Sequence, residues 1–251
     1  MAAKAIKSVA MIGLGKMGGP MTKYLVAKGF TVHGFDIAPK LMAAARKNGA
    51  KTGKSPADVA AKSDLIIVVV GFDSEVDTVL FGPKGVVSGA RTGTTIAICS
   101  TVSPEYMRDL PSRMTRKGID LVDAPLCRGE PAAEAGKLLV LGGGKASVFN
   151  RCKPAFAAFA DAIHYLGVLG AGQVGKMVNN MVLWACISAN YEGLKLGSAL
   201  GVDEEKLRQA LLVSSAQNWA LETWLMQREM PWAEKDMSIV LHEADMARIS
   251  L

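Results

Sequence analysis

Residues 9–18 read Val-Ala-Met-Ile-Gly-Leu-Gly-Lys-Met-Gly, and they set the architecture of this chain. The first four residues form a short apolar run typical of a buried strand, and the glycines that follow have the G-x-G-x-x-G spacing. A helix is predicted from Met17 to Lys28, before Gly29, and a second strand from Thr31 to Phe35 leads into Asp36. Strand, glycine turn, helix, strand and acid together predict a dinucleotide-binding βαβ unit.

The residues of this turn indicate how a dinucleotide is held. Gly13 permits a tight turn, Gly15 lets the backbone approach a pyrophosphate, and Gly18 lets helix and strand pack closely. The pyrophosphate then faces a helix N-terminus. We assign cofactor contacts to the whole turn, namely Gly13, Leu14, Gly15, Lys16, Met17 and Gly18. The alternative is that the glycines serve a turn that binds no nucleotide.

Asp36 bears on the choice of cofactor. It follows the glycine turn by about 20 residues, where a carboxylate accepts hydrogen bonds from both ribose hydroxyls and repels a 2′-phosphate. The sequence therefore favours NAD over NADP.

Strands and helices alternate through the first two thirds of the chain, which predicts an α/β fold with a Rossmann-type, doubly wound parallel sheet. Further strands are expected at residues 65–70, 94–99, 119–122, 138–141 and 163–166. Helices are expected at residues 39–48, 55–61, 74–80 and 146–160, and one more is capped by Ser103 with Pro104 at its first position.

Strand signals vanish from Gln173 onward. A long helix to about Leu200 is followed by shorter ones after Asp203 and around Ala220 to Arg228. We therefore expect a dinucleotide-binding domain at residues 1–166 and a helical domain for the substrate and for oligomerisation at residues 167–251.

Composition excludes several classes of protein. No apolar run approaches the roughly 18 to 20 residues needed to cross a bilayer, and the N-terminus leaves no room for a signal peptide, so we expect a cytoplasmic protein without a membrane partner. The four cysteines and three histidines are too scattered for a disulfide framework or a metal site. The net charge of +6 is spread along the chain, and its densest group is interpreted as a solvated helix face rather than a nucleic-acid patch: Arg108, Arg113, Arg116 and Lys117.

Lys176 is unusual because it lies in an otherwise apolar helix, one turn before Asn180. Burying an ammonium costs several kcal/mol unless its charge is used or lost, and desolvation moves a lysine pKa toward the range useful for proton transfer. The other interpretation is a lysine that reaches solvent from a packed helix. The nucleotide-binding signature at the other end of the chain favours the catalytic interpretation.

Five separated motifs resemble the β-hydroxyacid dehydrogenase family, which includes 3-hydroxyisobutyrate dehydrogenase and tartronate semialdehyde reductase and is related to the 6-phosphogluconate dehydrogenases. They are the cofactor turn at residues 13–21, Ser-Thr-Val-Ser-Pro at 100–104, Asp-Ala-Pro-Leu-Cys-Arg-Gly at 123–129, Gly-Ala-Gly-Gln-Val-Gly-Lys-Met-Val-Asn-Asn at 170–180, and Lys235-Asp236. The resemblance covers essentially the whole chain. It implies Lys176 as the catalytic lysine, Asn180 as its substrate-orienting partner, and Thr101 and Lys235 as cofactor contacts.

This resemblance gives the residues chemical roles. Lys176 takes the hydroxyl proton of an alcohol and returns it to an aldehyde in the reverse direction. Asn180 holds the hydroxyl or carboxylate, and substrate contacts are expected at Thr101, Cys127, Arg128 and Gly129. The reaction needs no metal.

The chain departs from the family pattern at three places. Cys127 and Arg128 replace a serine and a glycine. Cys127 is interpreted as a packed side chain rather than a nucleophile, whereas Arg128 either pairs with a second anionic group on the substrate or faces solvent near Glu130. Val70 begins a segment where the family often has a leucine-proline lip over the cofactor, and the chain ends before relatives usually do, so we expect a shortened helical domain.

The sequence thus predicts an oxidoreductase that transfers a hydride between NAD and a small 3-hydroxy acid or its semialdehyde. We expect a homodimer or homotetramer without a nucleic-acid partner. Two alternatives stay open: an imine or ketone reductase of similar architecture, and a catalytically silent NAD-binding interaction module.

Overall fold

The short apolar runs of the sequence form a sheet in a computed structural model, which describes residues 5–224 and 232–251. The chain divides into two compact units, residues 1–176 and residues 177–251. The boundary falls after residue 176, inside a long helix, whereas the sequence placed it after residue 166.

The strands are β1 (Ser8–Ile12), β2 (Thr31–Phe35), β3 (Lys51–Thr52), β4 (Leu65–Val68), β5 (Thr95–Ile98), β6 (Asp120–Asp123), β7 (Leu126–Cys127), β8 (Leu138–Gly144) and β9 (Ala160–Gly167). The helices of the first unit are α1 (Gly18–Ala27), α2 (Pro39–Lys47), α3 (Pro56–Ala60), α4 (Asp73–Phe81), α5 (Val86–Gly89), α6 (Pro104–Arg113), α7 (Gly129–Ala135) and α8 (Ala146–Phe156). Helix α9 (Ala171–Ala199) crosses the boundary, and the second unit continues with α10 (Glu204–Leu211), α11 (Trp219–Glu222) and α12 (Ala233–Ala247).

The sheet has the strand order β3-β2-β1-β4-β5-β6-β8-β7, and β9 pairs with β8. All neighbouring pairs from β3 to β6 are parallel, which confirms the predicted doubly wound sheet. Strand β8 is antiparallel to both β6 and β7, a feature that the sequence did not reveal. Its direction follows from chain length, because residues 128–137 between β7 and β8 are fewer than the dozen or so that a parallel crossover needs.

Helices cover both faces of the sheet, so the central strand β4 is apolar and buried at every position. In β4, Leu65 and Ile67 face one core cluster, whereas Ile66 and Val68 face the other. Fully burying each such side chain contributes roughly 1.5–3 kcal/mol. The first cluster includes residues of α1 and α8, namely Met21, Leu25, Phe149 and Phe156. The second includes residues of α3, α4 and α6, namely Val59, Val76, Leu80, Met107 and Leu110.

The second unit is helical, as predicted. Asn218 caps α11, where its side chain accepts from the Leu221 N–H at 2.9 Å, and it exchanges amide hydrogen bonds with Asn190 on α9. The structure describes α11 at the start of the helix predicted around Ala220 to Arg228, and residues 225–228 of that range lie outside the described residues. No helix among residues 5–224 and 232–251 is both long and apolar enough to span a membrane.

Candidate active site

The carboxyl ends of the parallel strands bring residues from five segments of the sequence to one edge of the first unit. Gly13 follows β1, Asp36 follows β2, Val70 lies two residues beyond β4, Thr101 lies beyond β5, and Asp123 ends β6. Ligands of open α/β sheets bind outside this edge, at the point where the strand order reverses. Here that point lies between β1 and β4, directly beside the glycine turn, which we define as residues 13–18.

The glycine turn has the geometry that a dinucleotide needs. Gly13 has a φ of +89°, and a Cβ there would lie 2.1 Å from the Val69 carbonyl oxygen. A Cβ on Gly18 would lie 1.9 Å from the Gly13 oxygen. A Cβ on Gly15 would meet nothing within 4 Å, so this glycine leaves open space on the outer side of the turn. Gly13 and Gly18 therefore serve packing, whereas Gly15 leaves room for a pyrophosphate.

Asp36 is half-buried and holds the glycine turn in place. Its Oδ2 accepts from the Leu14 N–H at 2.8 Å, and its Oδ1 accepts from the Ala38 N–H at 2.8 Å. Each carboxylate oxygen can accept more than one hydrogen bond. The residue can therefore hold the turn and still accept from ribose hydroxyls.

The segment after β4 is fixed by its backbone. The Val70 N–H donates to Ser100 Oγ at 2.8 Å, and the Gly71 N–H donates to Glu75 Oε2 at 2.6 Å. The Phe72 side chain is about half exposed. The segment therefore presents an aromatic ring, together with Val70, where the family often has a leucine-proline lip.

The segment after β5 leads into α6, and both helix-start signals predicted there are present. Ser103 caps α6 by accepting from the Tyr106 N–H at 3.0 Å, with Pro104 at the first helical position. Thr101 is half-buried and lies between buried Ser100 and buried Val102.

Asp123 anchors the start of α9 and was missed as an individual residue. It is fully buried, and its two oxygens accept from the Gly170 N–H at 2.8 Å and the Gln173 N–H at 2.9 Å. Burial raises the pKa of the Asp123 carboxyl, whereas these N–H donors favour its charged form. A Cβ on Gly172 would lie 2.7 Å from Asp123 Oδ2, which explains the small residue in the motif.

Residues 126–129 form a second turn, defined here as the arginine turn. Arg128 adopts the left-handed conformation with a φ of 80°, and Gly129 follows with a φ of 70°. The Arg128 guanidinium pairs with the Asp161 carboxylate on β9 and donates to the Lys137 carbonyl at 3.0 Å. Glu130 instead pairs with Lys16, at 3.0 Å. The partly exposed Arg128 guanidinium is thus engaged by Asp161 and the Lys137 carbonyl rather than by Glu130, and its contact with a second substrate anion stays a prediction.

Lys176 and Cys127 belong to the same neighbourhood. Cys127 is buried, and burial raises the pKa of its thiol, while the positive charges of Lys176 and Arg128 act in the opposite direction. A protonated, buried thiol fits the interpretation of Cys127 as a packed side chain. Lys176 is half-buried on α9, and its charge acts on a residue of the arginine turn.

The second unit holds the other two residues named from the sequence. Asn180 is buried, and its Nδ2 donates to Asp236 Oδ2 at 2.7 Å. Its Oδ1 accepts from Asn179 Nδ2 at 2.9 Å. Lys235 is half-buried, with its Nζ 6.0 Å from the centre of the Trp232 ring. The partnership of Asn180 and Asp236 was not foreseen, because 56 residues separate them.

The basic residues near α6 make local contacts. Arg113 pairs with Asp77 at 2.8 Å and lies over the Phe81 ring, and Arg116 donates to the Ser88 carbonyl at 2.9 Å. Within the described part of the chain, no group of three or more His, Cys, Asp or Glu residues is arranged to hold a metal ion.

Two family models match the chain. Residues 8–180 match the NAD binding domain of 6-phosphogluconate dehydrogenase. Residues 170–251 match the NAD-binding domain of NADP-dependent 3-hydroxyisobutyrate dehydrogenase. The two matches overlap in the first turns of α9, the segment that carries Lys176 and Asn180.

Individual proteins are similar over most of the chain. It is 36% identical over 219 residues to 2-(hydroxymethyl)glutarate dehydrogenase of Eubacterium barkeri, covering 87% of this chain and 72% of that protein. It is 33% identical over 216 residues to 3-hydroxyisobutyrate dehydrogenase of Pseudomonas aeruginosa, covering 86% of this chain and 72% of that protein. A solved 3-hydroxyisobutyrate dehydrogenase of Mycobacterium tuberculosis with L-serine matches with a TM-score of 0.86 and 26% identity, covering 98% of this chain and 89% of that one.

Proposed function

This chain belongs to the β-hydroxyacid dehydrogenase family, and we propose that it transfers a hydride between NAD and a small 3-hydroxy acid or its semialdehyde. The observation that carries the proposal is the neighbourhood of Lys176. Asp123, at the end of β6, accepts from the Gly170 and Gln173 N–H groups, so the start of the helix that bears Lys176 is fixed at the same sheet edge as the open glycine turn.

The proposed reaction needs hydride transfer, proton transfer and binding of the substrate carboxylate, and a different group serves each of these. A bound nicotinamide supplies the hydride acceptor for oxidation and the hydride donor for reduction. Lys176 takes the proton from the substrate hydroxyl in the oxidising direction and returns it to the carbonyl oxygen in the reducing direction. Backbone N–H groups of residues 127–129 bind the substrate carboxylate, so no competing titratable side chain is needed.

The remaining residues have supporting roles in the proposal. Asn180 orients the substrate through its amide, and Asp236 fixes that amide by accepting from it. Thr101, Val70 and Lys235 contact the cofactor, and Thr101 also contacts the substrate. The glycine turn holds the pyrophosphate at the N-terminus of α1.

Replacing the lysine tests the proposal most directly. We expect Lys176→Ala to lower kcat by roughly 10²-fold or more, because a positioned acid-base group typically contributes 10² to 10⁴. NADH affinity should stay nearly unchanged. The matched control is Lys195→Ala, an exposed lysine of the same helix, which should leave kcat unaltered.

Steady-state oxidation of C3 to C6 hydroxy acids, combined with a titration of NADH fluorescence, measures both quantities. Unchanged turnover with lost cofactor binding would overturn the role of Lys176. Cofactor binding without turnover of any hydroxy acid would instead favour the silent binding module, and turnover of imines or simple ketones alone would favour the reductase alternative.

The preference for NAD over NADP rests on Asp36. Its carboxylate lies at the end of β2, where it would repel a 2′-phosphate. We expect a higher kcat/KM with NAD, and Asp36→Asn should narrow the ratio while keeping one oxygen to accept from the Leu14 or Ala38 N–H. Equal kcat/KM values for the two cofactors in the unmodified protein would refute this preference. The homodimer or homotetramer and the cytoplasmic location stay predictions.

A further inference from the structure

We infer that Gln173 is a positioning residue that fixes Lys176 relative to the segment around Thr101 and to the strand that leads into the arginine turn. The inference rests on the proposed function, since it concerns the placement of the proposed catalytic lysine. Gln173 has no role in the sequence interpretation, although it lies three residues before Lys176 in the same motif.

The Gln173 side chain forms hydrogen bonds with the backbone on both sides of Thr101. It is 1% exposed, its Nε2 donates to the Ser100 carbonyl at 2.8 Å, and its Oε1 accepts from the Val102 N–H at 3.3 Å. An amide is suited to this task because it offers a donor and an acceptor side by side. The two hydrogen bonds restrain the peptide planes before and after Thr101 with respect to α9.

The Gln173 backbone makes a separate connection. Its N–H donates to the buried Asp123 carboxylate, which ends β6 and leads within four residues to Cys127. Asp123 also accepts from the Gly170 N–H, so the first turn of α9 is held at two points. A Cβ on Gly143 would lie 2.3 Å from Asp123 Oδ1, and the glycine there leaves the space that the carboxylate occupies.

One residue therefore joins three segments that carry the proposed chemistry: the segment around Thr101, the end of β6, and the helix of Lys176. Residues three apart on a helix are neighbours on its surface, so a tilt or rotation of the first turn of α9 carries Lys176 with it. Displacing a catalytic group by about 1 Å can cost on the order of 10²-fold in rate.

Two substitutions of different chemistry test this role. Gln173→Met keeps the length of the side chain but removes both hydrogen bonds to the Thr101 segment, and we expect kcat to fall by roughly 10²-fold with little change in the KM for NAD. Gln173→Glu keeps the acceptor for the Val102 N–H but, when ionised, cannot donate to the Ser100 carbonyl. Protonating the new carboxyl restores a donor, and burial favours that protonated form.

The pH profile separates positioning from mere packing. The activity of Gln173→Glu relative to the unmodified protein should rise as the pH falls from about 8 to about 6, whereas that of Gln173→Met should stay low throughout. The matched control is Gln209→Met, which changes an exposed glutamine on α10 and should leave kcat and its pH profile unaltered.

A second measurement does not depend on turnover. Acylation of Lys176 by an amine-reactive reagent, followed by peptide mass spectrometry in the absence of cofactor, should proceed at a different rate in Gln173→Met, while Lys195 in the same sample reacts as before. If the unmodified protein oxidises no hydroxy acid, the proposed function fails, but this labelling still reports on the placement of Lys176.

Wild-type kcat in Gln173→Met would overturn the inference. So would an equal, pH-independent loss of activity in both variants with unchanged Lys176 labelling. Failure of both variants to fold, judged by circular dichroism against Gln209→Met, would assign Gln173 to folding alone and would also overturn it.

Discussion

The glycine turn and the arginine turn both place a residue at positive φ, but they sustain it by opposite means. In the glycine turn the residue is Gly13, at +89°, where a side chain has no space. In the arginine turn the residue is Arg128, at 80°, although a glycine often stands there in the family. A left-handed conformation costs a non-glycine residue roughly 1–2 kcal/mol.

The difference shows how a strained backbone can be held by distant contacts. Gly13 needs no stabilising side-chain contact, because glycine adopts positive φ without steric cost. Arg128 is held by its guanidinium, which binds Asp161 and the Lys137 carbonyl on the neighbouring strand segments. The first turn is therefore encoded locally, whereas the second depends on the folded sheet.

The largest effect is expected in the glycine turn. Gly13→Ala should lower the free energy of unfolding by about 3 kcal/mol or more, because the new Cβ adds both backbone strain and an overlap with the Val69 carbonyl. Chemical denaturation followed by circular dichroism measures the change. The matched substitution is Gly15→Ala, whose Cβ meets nothing within 4 Å.

Gly15→Ala should leave the unfolding free energy within about 0.5 kcal/mol of the original. It should nevertheless raise the Kd for NADH by roughly tenfold or more, because the methyl group occupies the side that the pyrophosphate approaches. A comparable loss of stability in both variants would contradict the assignment of Gly13 to packing and of Gly15 to cofactor binding.

An intermediate effect is expected in the arginine turn. Arg128→Ala removes the guanidinium and keeps the strain, whereas Arg128→Gly removes both, so the glycine variant should be more stable than the alanine variant by about 1 kcal/mol. Relative to the original protein, Arg128→Gly should change stability by less than about 1 kcal/mol, since a partly exposed ion pair contributes little. An alanine variant as stable as the glycine variant would show that position 128 is not strained.

The glycine variant also tests whether Arg128 selects substrates by their charge. Because the guanidinium is engaged by Asp161, Arg128→Gly should affect the KM values of a monoanionic and a dianionic hydroxy acid equally. A selective rise of about tenfold for the dianionic substrate would show that Arg128 turns toward the substrate in the complex.

The smallest effect is expected for the contact between the glycine turn and the start of α7, directly after the arginine turn. Lys16 and Glu130 pair at 3.0 Å, with side chains 80% and 48% exposed. A double-mutant cycle with Lys16→Gln and Glu130→Gln should give a coupling of about 0.5 kcal/mol that fades in about 1 M salt. A coupling that persists at high salt would mean that the glycine turn and α7 are joined more firmly than this exposed pair allows.

Much of the fold could be predicted from short stretches of sequence. Strand β2 matches its predicted bounds, and the start of α6 was foreseen because Ser103 and Pro104 are strong helix-start signals. Short elements were missed, namely β3, β7, α5 and α7, because two to seven residues show no clear periodicity. Helix α12 was also missed, although the Lys235-Asp236 motif at its start was noticed.

The candidate site divides in the same way. The glycine turn, Asp36, Thr101 and Lys176 could be named because each lies in a short motif with its own chemistry. Asp123 and Gln173 gained their roles only from partners elsewhere in the chain. A glutamine in a largely apolar stretch of helix was the one local signal that pointed to Gln173, and its burial became evident only in the folded chain.

Hydrophobic period, helix capping and the need for positive φ act over a few residues, so the sequence alone established the alternating strands and helices, the nucleotide-binding turn and the lysine-bearing helix. Only the tertiary structure determined the antiparallel direction of β8, the pairing of Arg128 with Asp161 and the hydrogen bond from Gln173 to Ser100. The last two join residues that are 33 and 73 positions apart. Such contacts depend on which strand ends the sheet brings together, and no local pattern carries that information.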